Sequence, residues 1–254
     1  MTAFFRVKPV NDVTNCLKST ILLAWNTRTF VYNKSKNMKT DSQLQQDVQE
    51  SLKWEPLLYN AEIGVSVKNG VVTLTGSVDS YSKKIEAERA VKNVKGVKAL
   101  AETIEIKLGE TTEISDTEIA IDVMNSIKFS WLVPLDKVIV KVESGWVTLE
   151  GELQWDYQRS AAKRAVGTLT GVKGVTNNLK IKSEAHNEIE EAAIKKAYAR
   201  SWSLNDKDIE VKVSGKNVKL TGIVHSIYQK EEAGRIAWNA PGVWSLDNEL
   251  VIEY

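Results

Sequence analysis

Side chains able to act as acid–base catalysts, nucleophiles or metal ligands are few in this sequence. The chain contains two histidines, His186 and His225, and a single cysteine, Cys16. None of them falls in a Ser-His-acid, CxxC or HExxH pattern, and no glycine run has the form of a nucleotide-binding loop. The sequence therefore predicts a protein without enzyme activity, without a metal site and without a cofactor.

Binding of anions is the chemistry that one short stretch does suggest. Arg159 and Lys163 lie four residues apart, Arg164 is adjacent, and Trp155 and Tyr157 precede them. Each basic side chain near an anionic lipid surface adds about 1 kcal/mol of attraction. Two interpretations stay open: lipid headgroup contact through Arg159, Lys163 and Arg164, or the mixed charges that any exposed helix presents.

These residues belong to a pattern that the chain repeats three times. The segment AEIGVSVKNGVVTLTGSV at 61–78 returns in related form at 137–153 and 208–224. In each copy apolar and polar residues alternate, which is typical of a strand buried on one face. A turn that contains glycine follows, so each copy predicts a β-hairpin. The second strand of each hairpin ends in a glycine: Gly76, Gly151 and Gly222.

A helix is predicted before each hairpin. Asp41-Ser42 and Asp116-Thr117 supply N-cap residue types, and apolar residues then recur at spacing four. The predicted stripes are Leu44, Val48 and Leu52, then Ile119, Val123 and Ile127, and in the third copy Ile189, Ala193 and Ala197. The third stripe fits only if one residue is inserted before its hairpin. Apolar residues that lead into the hairpins are expected to plug the core: Leu57, Leu58, Leu132, Val133, Trp202 and Leu204.

A second helix and a third strand are predicted after each hairpin. The helical segments carry small residues on one side, which lets a helix lie close to a sheet. Each is expected to end at a further glycine at constant spacing: Gly96, Gly171 and Gly242. A short alternating run follows and begins at Ile104, Leu179 or Leu250.

The predicted fold class is therefore α+β, with three tandem small α-β-β-α-β domains. Each domain of about 67 residues is expected to form a three-stranded mixed sheet covered by two helices. The predicted bounds are 38–110, 114–183 and 185–254. Short polar linkers should keep neighbouring domains close together.

Residues 1–37 match none of the copies and carry six Lys or Arg residues against one acid. Three interpretations compete: a signal peptide, a basic arm that touches a membrane, or an upstream extension with translation starting at Met38. The apolar stretch at 21–25 is too short for a signal peptide and lacks a small-residue cleavage site. We therefore prefer a basic, disordered extension and expect a cytoplasmic protein.

Composition narrows the class of partner. The net charge is only +1, which gives no general reason to expect a nucleic-acid partner. No stretch approaches the roughly 20 apolar residues that span a bilayer, so a soluble chain is expected. One cysteine excludes an internal disulfide framework. The oligomeric state is left open.

Several short motifs resemble one family. The second strands end in VTLTG at 72–76, VTLEG at 147–151 and VKLTG at 218–222, and Val175, Asn177 and Leu179 follow a Gly-Val pair. In this order the motifs resemble the BON domain, named for bacterial osmotically induced and nodulation proteins, over 41–107, 116–182 and 186–254. Glu102 stands where the other copies have Asn177 and Asn248, so the last loop of the first copy is expected to be held differently.

The resemblance implies a non-catalytic module that attaches to phospholipid surfaces or other cell-envelope components. Tandem copies resemble periplasmic osmotic stress proteins of the OsmY type, which makes the periplasm the alternative location. Three weak modules on short linkers would bind a surface with avidity. The second functional hypothesis is a protein-interaction or chaperone-like module that acts on other proteins through apolar patches or sheet edges.

Overall fold

The computed structural model describes residues 39–107, 114–183 and 189–253. These residues fold into three consecutive repeats, each with the order α-β-β-α-β. The predicted basic extension at 1–37 lies outside the described residues, and so does His186.

The first and second repeats have the same element order and similar lengths. The first consists of α1 (Asp41–Lys53), β1 (Glu62–Lys68), β2 (Val71–Val78), α2 (Tyr81–Asn93) and β3 (Ala99–Ile106). The second consists of α3 (Asp116–Phe129), β4 (Val138–Glu143), β5 (Trp146–Leu153), α4 (Asp156–Gly167) and β6 (Gly174–Ile181).

The third repeat departs from this pattern at its two ends. It consists of α5 (Glu191–Ala199), β7 (Ile209–Ser214), β8 (Asn217–Val224), α6 (Ile227–Trp238), β9 (Ser245–Asn248) and β10 (Val251–Ile252). Its first helix is shorter than α1 and α3, and its last strand is divided into β9 and β10.

The central strand of every sheet is the second strand of the hairpin. β2 pairs antiparallel with β1 and parallel with β3, and β5 pairs in the same way with β4 and β6. In the third repeat β8 pairs antiparallel with β7 and parallel with β9 and β10. The predicted α+β class, with mixed sheets covered by two helices each, is confirmed.

The first helix of each repeat buries one stripe against its sheet. The predicted stripes of α1 and α3 are confirmed, since all six residues are buried. The predicted stripe of the third repeat is wrong. Ile194 and Tyr198 are buried, whereas Ala193 is exposed. Larger side chains bury more apolar area, so they take the inner face.

Ile194 and Tyr198 lie as far before Gly222 as Val48 and Leu52 lie before Gly76. The expected one-residue insertion is therefore absent, and α5 begins one turn later than α1 does. The Tyr198 hydroxyl donates to the carbonyl oxygen of Ala233 on α6 at 2.9 Å. In the first two repeats Ser51 and Ser126 make the same kind of bond to the second helix.

The helix caps differ by one residue from the prediction. Thr40 and Ser115 are the N-caps, each with a reciprocal capping box. Asp116 instead accepts the backbone N–H groups of Ser144 at 2.7 Å and Gly145 at 2.8 Å. Asp41 binds the turn of the first hairpin in the same way. These carboxylates hold the start of each helix to the tip of its hairpin.

Glycine is required at the end of each central strand. Gly76, Gly151 and Gly222 have φ of 135°, 138° and 129°. A Cβ there would lie 1.9, 2.0 or 2.1 Å from a carbonyl oxygen of the neighbouring strand region. The other predicted set, Gly96, Gly171 and Gly242, lies beyond the helix ends, in the turn that leads to the last strand.

The second helices of the three repeats meet one another. Lys92 on α2 pairs with Glu231 on α6 at 2.7 Å, and the N–H of Gly96 donates to the carbonyl of His225 at 2.9 Å. Ser82 on α2 donates to the carbonyl of Gly167 on α4 at 3.0 Å. Lys92, Gly167 and Trp238 occupy the same position in their helices, and each contacts another repeat.

Two of the three junctions are closed by an apolar side chain at one shared position near the start of the second helix. Tyr81 of α2 packs into the core of the second repeat. Ile227 of α6 packs against the core of the first repeat. The same position in α4 holds Asp156, which faces the third repeat with an acid in place of an apolar group.

No helix within 39–107, 114–183 and 189–253 is both long enough and apolar enough to cross a membrane. The cytoplasmic and periplasmic locations both stay predictions.

Replacing Gly151 by alanine should destabilise the second repeat strongly. The new Cβ would meet the carbonyl oxygen of Lys137, and the backbone would keep a φ that alanine avoids. We expect a loss of at least about 2 kcal/mol in the free energy of unfolding. Thermal unfolding followed by circular dichroism measures it.

The matched control is Gly215→Ala, at a turn with φ of 60° and no atom within 4 Å of a new Cβ. Only backbone strain of about 1 kcal/mol is expected there. Equal losses in the two variants would contradict the close-approach argument.

Candidate binding surfaces

The described residues contain no group of His, Cys, Asp and Glu side chains that could hold a metal ion. His225 has a structural environment. Its backbone N–H donates to Gln229, its carbonyl accepts from Gly96, and its ring Nδ1 lies 3.1 Å from the carbonyl oxygen of Glu253. It joins the first and third repeats.

The structure separates the three predicted headgroup ligands. Arg159 is half-buried, pairs with the buried carboxylate of Asp156, and lies 4.8 Å over the ring of Trp238. Lys163 is exposed and faces the space between the repeats. Arg164 is exposed, and it has no ion-pair partner in the described part of the chain. Their contact with headgroups stays a prediction.

Arg164 belongs to a set of equivalent arginines on the second helices. Arg89 and Arg235 hold the same position in their repeats, and each pairs with a glutamate three residues earlier. In the second repeat that earlier residue is Ala161. Of the three equivalent arginines, Arg164 is thus the one whose charge is available to an outside anion.

Large aromatic side chains are exposed in the turn after the first helix of every repeat. Trp54, just after α1, and Phe129, the last residue of α3, occupy equivalent positions in their repeats and are each 84% exposed. Trp131 and Trp202 occupy the position two residues on, and they are 89% and 92% exposed. Leu57 and Tyr59 extend the exposed surface of the first repeat. We call the exposed aromatic residues of this region, Trp54, Tyr59, Phe129, Trp131 and Trp202, the turn aromatics.

The prediction that the apolar residues before each hairpin plug the core is correct only in part. Leu58 and Val133 are buried, and Leu132 and Leu204 are half-buried. Trp202 and Leu57 are exposed, so for them the prediction is wrong. An apolar residue after the aromatic one, Leu58, Val133 or Leu204, packs into the core and anchors the turn. The aromatic ring therefore stays outside the core. The sequence signal was the recurrence of an aromatic just past each helical stripe.

The junction that Asp156 faces is an open cleft. It has a volume of about 1100 Å³ and is lined by residues of all three repeats. Its basic lining residues include Lys95, Arg159 and Lys163, and its aromatic ones are Trp202, Tyr228 and Trp238.

The last strand of the first repeat is held differently from the other two, as predicted. Asn177 and Asn248 each donate to a backbone carbonyl of the second helix, at 3.0 and 2.8 Å. Glu102 cannot donate in this way when ionised, and it pairs with Lys84 at 3.1 Å. Glu102 thereby brings a second carboxyl group close to Glu88.

Glu88 has a strongly shifted pKa. Burial and, after it, the neighbouring carboxyl of Glu102 raise the pKa of Glu88 to about 7, while Lys92 and Lys163 oppose the shift. Only 26% of the Glu88 side chain is exposed. Folding therefore favours the protonated form of Glu88.

We predict that this carboxyl group makes the protein less stable as the pH rises. Below pH 4.5, the ordinary pKa, Glu88 is protonated in both states and costs nothing. Stability falls as the pH rises from there through about 7, because the unfolded chain ionises more easily. Glu88→Gln should remove the fall and stabilise the protein at pH 8 by about 1 kcal/mol, a value reduced for solvent screening.

The measurement is thermal unfolding between pH 4.5 and pH 8, in the range set by the shift of Glu88. Glu105→Gln serves as the control, because it removes an exposed carboxylate from the face of β3 opposite to Glu102. A Glu88→Gln variant with the same pH dependence as the unchanged chain would contradict the assignment.

Comparisons with known proteins agree with these repeats. The BON domain family model matches residues 40–107, 115–183 and 187–254. Osmotically-inducible protein Y of Escherichia coli (strain K12) is 27% identical over 154 residues, which cover 59% of this chain and 77% of that protein.

Among solved structures, the C-terminal domain of CdsD, a structural protein of the type III secretion system of Chlamydia trachomatis, is 15% identical. The match covers 85% of this chain and all of that one, with a TM-score of 0.23. A second CdsD structure gives 14% identity and a TM-score of 0.21. Such low scores say nothing about how the repeats are arranged. The three matches to the family model cover most of the sequence, and the chain therefore belongs to the BON domain family, with three tandem copies.

Proposed function

We propose that this chain is a non-catalytic binding protein that attaches to anionic phospholipid surfaces in an osmotic stress role. The observation that carries the proposal is the exposure of turn aromatics between the first helix and the hairpin of every repeat. The name of the Escherichia coli relative, Osmotically-inducible protein Y, supports the stress role.

Exposed tryptophan is suited to a membrane interface. The indole ring is largely apolar, and its N–H group still finds a hydrogen-bond partner at headgroup level. Moving one such side chain out of water is worth on the order of 1.5–3 kcal/mol. Trp54, Trp131 and Trp202 together can therefore hold a chain that none of them would hold alone.

Basic side chains without an acidic partner add an electrostatic attraction to the surface that depends on the charge of the lipid. Arg164 has no acidic partner in the described ranges, and Lys163 is exposed beside it. Arg159 is occupied by Asp156, so we expect less from it. The attraction of Arg164 and Lys163 to anionic headgroups should weaken with added salt.

The alternative is a module that binds other proteins through the same turn aromatics. Binding through sheet edges is less favoured, because side chains of the same repeat occupy edge carbonyls. Gln45 donates to Val65, Lys84 to Ile104, and Lys230 to Leu250. This alternative predicts binding that is indifferent to lipid.

We predict that replacing Trp54, Trp131 and Trp202 together by alanine weakens binding of the full chain to phosphatidylglycerol vesicles by at least about tenfold. The expected size follows from the apolar area removed from the interface. Co-sedimentation at low and high salt measures it. Trp146→Ala, at an exposed tryptophan on the outer face of β5, is the matched control.

Arg164→Gln should lower binding at low salt and have little effect at high salt, where its charge is screened. If the unchanged chain binds neither anionic nor neutral vesicles, the lipid proposal is wrong and the protein-binding alternative is favoured. Equal losses for Trp146→Ala and the triple variant would refute the role of the turn aromatics.

A further inference from the structure

We propose that the cleft between the repeats binds one anionic amphiphile, with its charged head at Lys95 and Lys163 and its apolar part along Trp202 and Trp238. This inference rests on the proposed function and adds to it a site that exists only where three repeats are joined.

The cleft lies at the third junction, where Trp238 packs against the core of the second repeat but the position near the start of α4 supplies no apolar side chain. Tyr81 and Ile227 close the other two junctions from within the chain. At the same position α4 has Asp156, whose carboxylate is paired with Arg159 and fills no apolar space. A volume of about 1100 Å³ is left, which is larger than an inorganic anion needs and suits a drug-sized ligand.

Charge in the cleft favours an anion once the internal ion pairs are set aside. Asp156 is neutralised by Arg159, Glu232 by Arg235, and Glu231 by Lys92. Lys95 lines the cleft from the turn after α2 and Lys163 from α4, and neither forms an ion pair with a described residue. Glu88 lies near Lys163, but its pKa of about 7 keeps it largely protonated below neutral pH.

The polar side chains of the cleft argue against recognition of a peptide backbone. Asn177 and Asn248 already donate to helix carbonyls. The Gln229 amide donates to Ser203 and accepts from His225. Three of the four lining amides are thus engaged within the chain, and only Asn93 is left for a peptide, so charge and apolar surface are most of what remains for a ligand.

The mouth of the cleft adjoins a turn that we assign to the membrane interface. Trp202 lines the cleft and is also one of the turn aromatics. A lipid at the surface touched by this turn can therefore bring its headgroup toward Lys95 and Lys163 while its chains stay beside the ring.

The test uses isothermal titration of the full chain with dihexanoylphosphatidylglycerol below its critical micelle concentration. Dihexanoylphosphatidylcholine, glycerol 3-phosphate and a tetraglutamate peptide are the comparison ligands. We expect the anionic lipid to bind at least about tenfold more tightly than each of the three. The proposal would be overturned if the two lipids bound equally well, or if glycerol 3-phosphate bound as tightly as the anionic lipid. Tighter binding of the peptide than of the anionic lipid would also overturn it.

Variants locate the site. Lys95→Gln combined with Lys163→Gln should weaken binding of the anionic lipid by about tenfold or more, since each charge contributes about 1 kcal/mol. Lys180→Gln, at an exposed lysine on β6 away from the cleft, should leave it unchanged. Ser160→Trp fills the cleft without changing its charge and should also abolish binding. Thermal unfolding confirms that each variant is folded.

The two proposals fail in different ways. If the chain binds anionic vesicles but the monomeric lipid does not bind, the cleft proposal is wrong and surface attachment stands. If binding of the monomeric lipid survives both the lysine variant and Ser160→Trp, the ligand is elsewhere and the cleft assignment is overturned.

Discussion

At the end of each central strand two backbone segments come into close contact, and this contact positions the strands and turns around it. At Gly76, Gly151 and Gly222 a carbonyl oxygen occupies the space that a Cβ would take. This contact sets where the first strand begins, and so where the turn before it lies. The turn aromatics lie in the same segment of each repeat because the same contact is made three times.

The interfaces between repeats show how one position can be put to different uses. Tyr81 and Ile227 are the apolar residues near the start of α2 and α6, and each joins the core of a neighbouring repeat. Asp156 at that position cannot be buried unpaired, and it binds Arg159, which in turn stacks on Trp238. The change from an apolar group to an ion pair leaves one junction open, and the cleft results.

Electrostatic pairing within helices decides which charges can act outside the molecule. Arginines at one position are neutralised in the first and third repeats by Glu86 and Glu232. The second repeat has Ala161 there, so its helix presents a free Arg164. The near-neutral composition conceals this local difference, because a net charge sums over paired and unpaired groups alike.

The repeat, the α-β-β-α-β order, the hairpins and the glycines could be predicted from local periodicity and from backbone angles that few residues adopt. The sequence pattern misplaced the stripe of α5, where Ile194 and Tyr198 are buried ahead of alanines, since burial is decided by the fit against the sheet. Only the folded chain shows that Trp202 is exposed, that Arg159 lies over Trp238, and that Lys95 and Lys163 face one cleft. These depend on contacts between residues far apart in the chain, which periodicity does not encode.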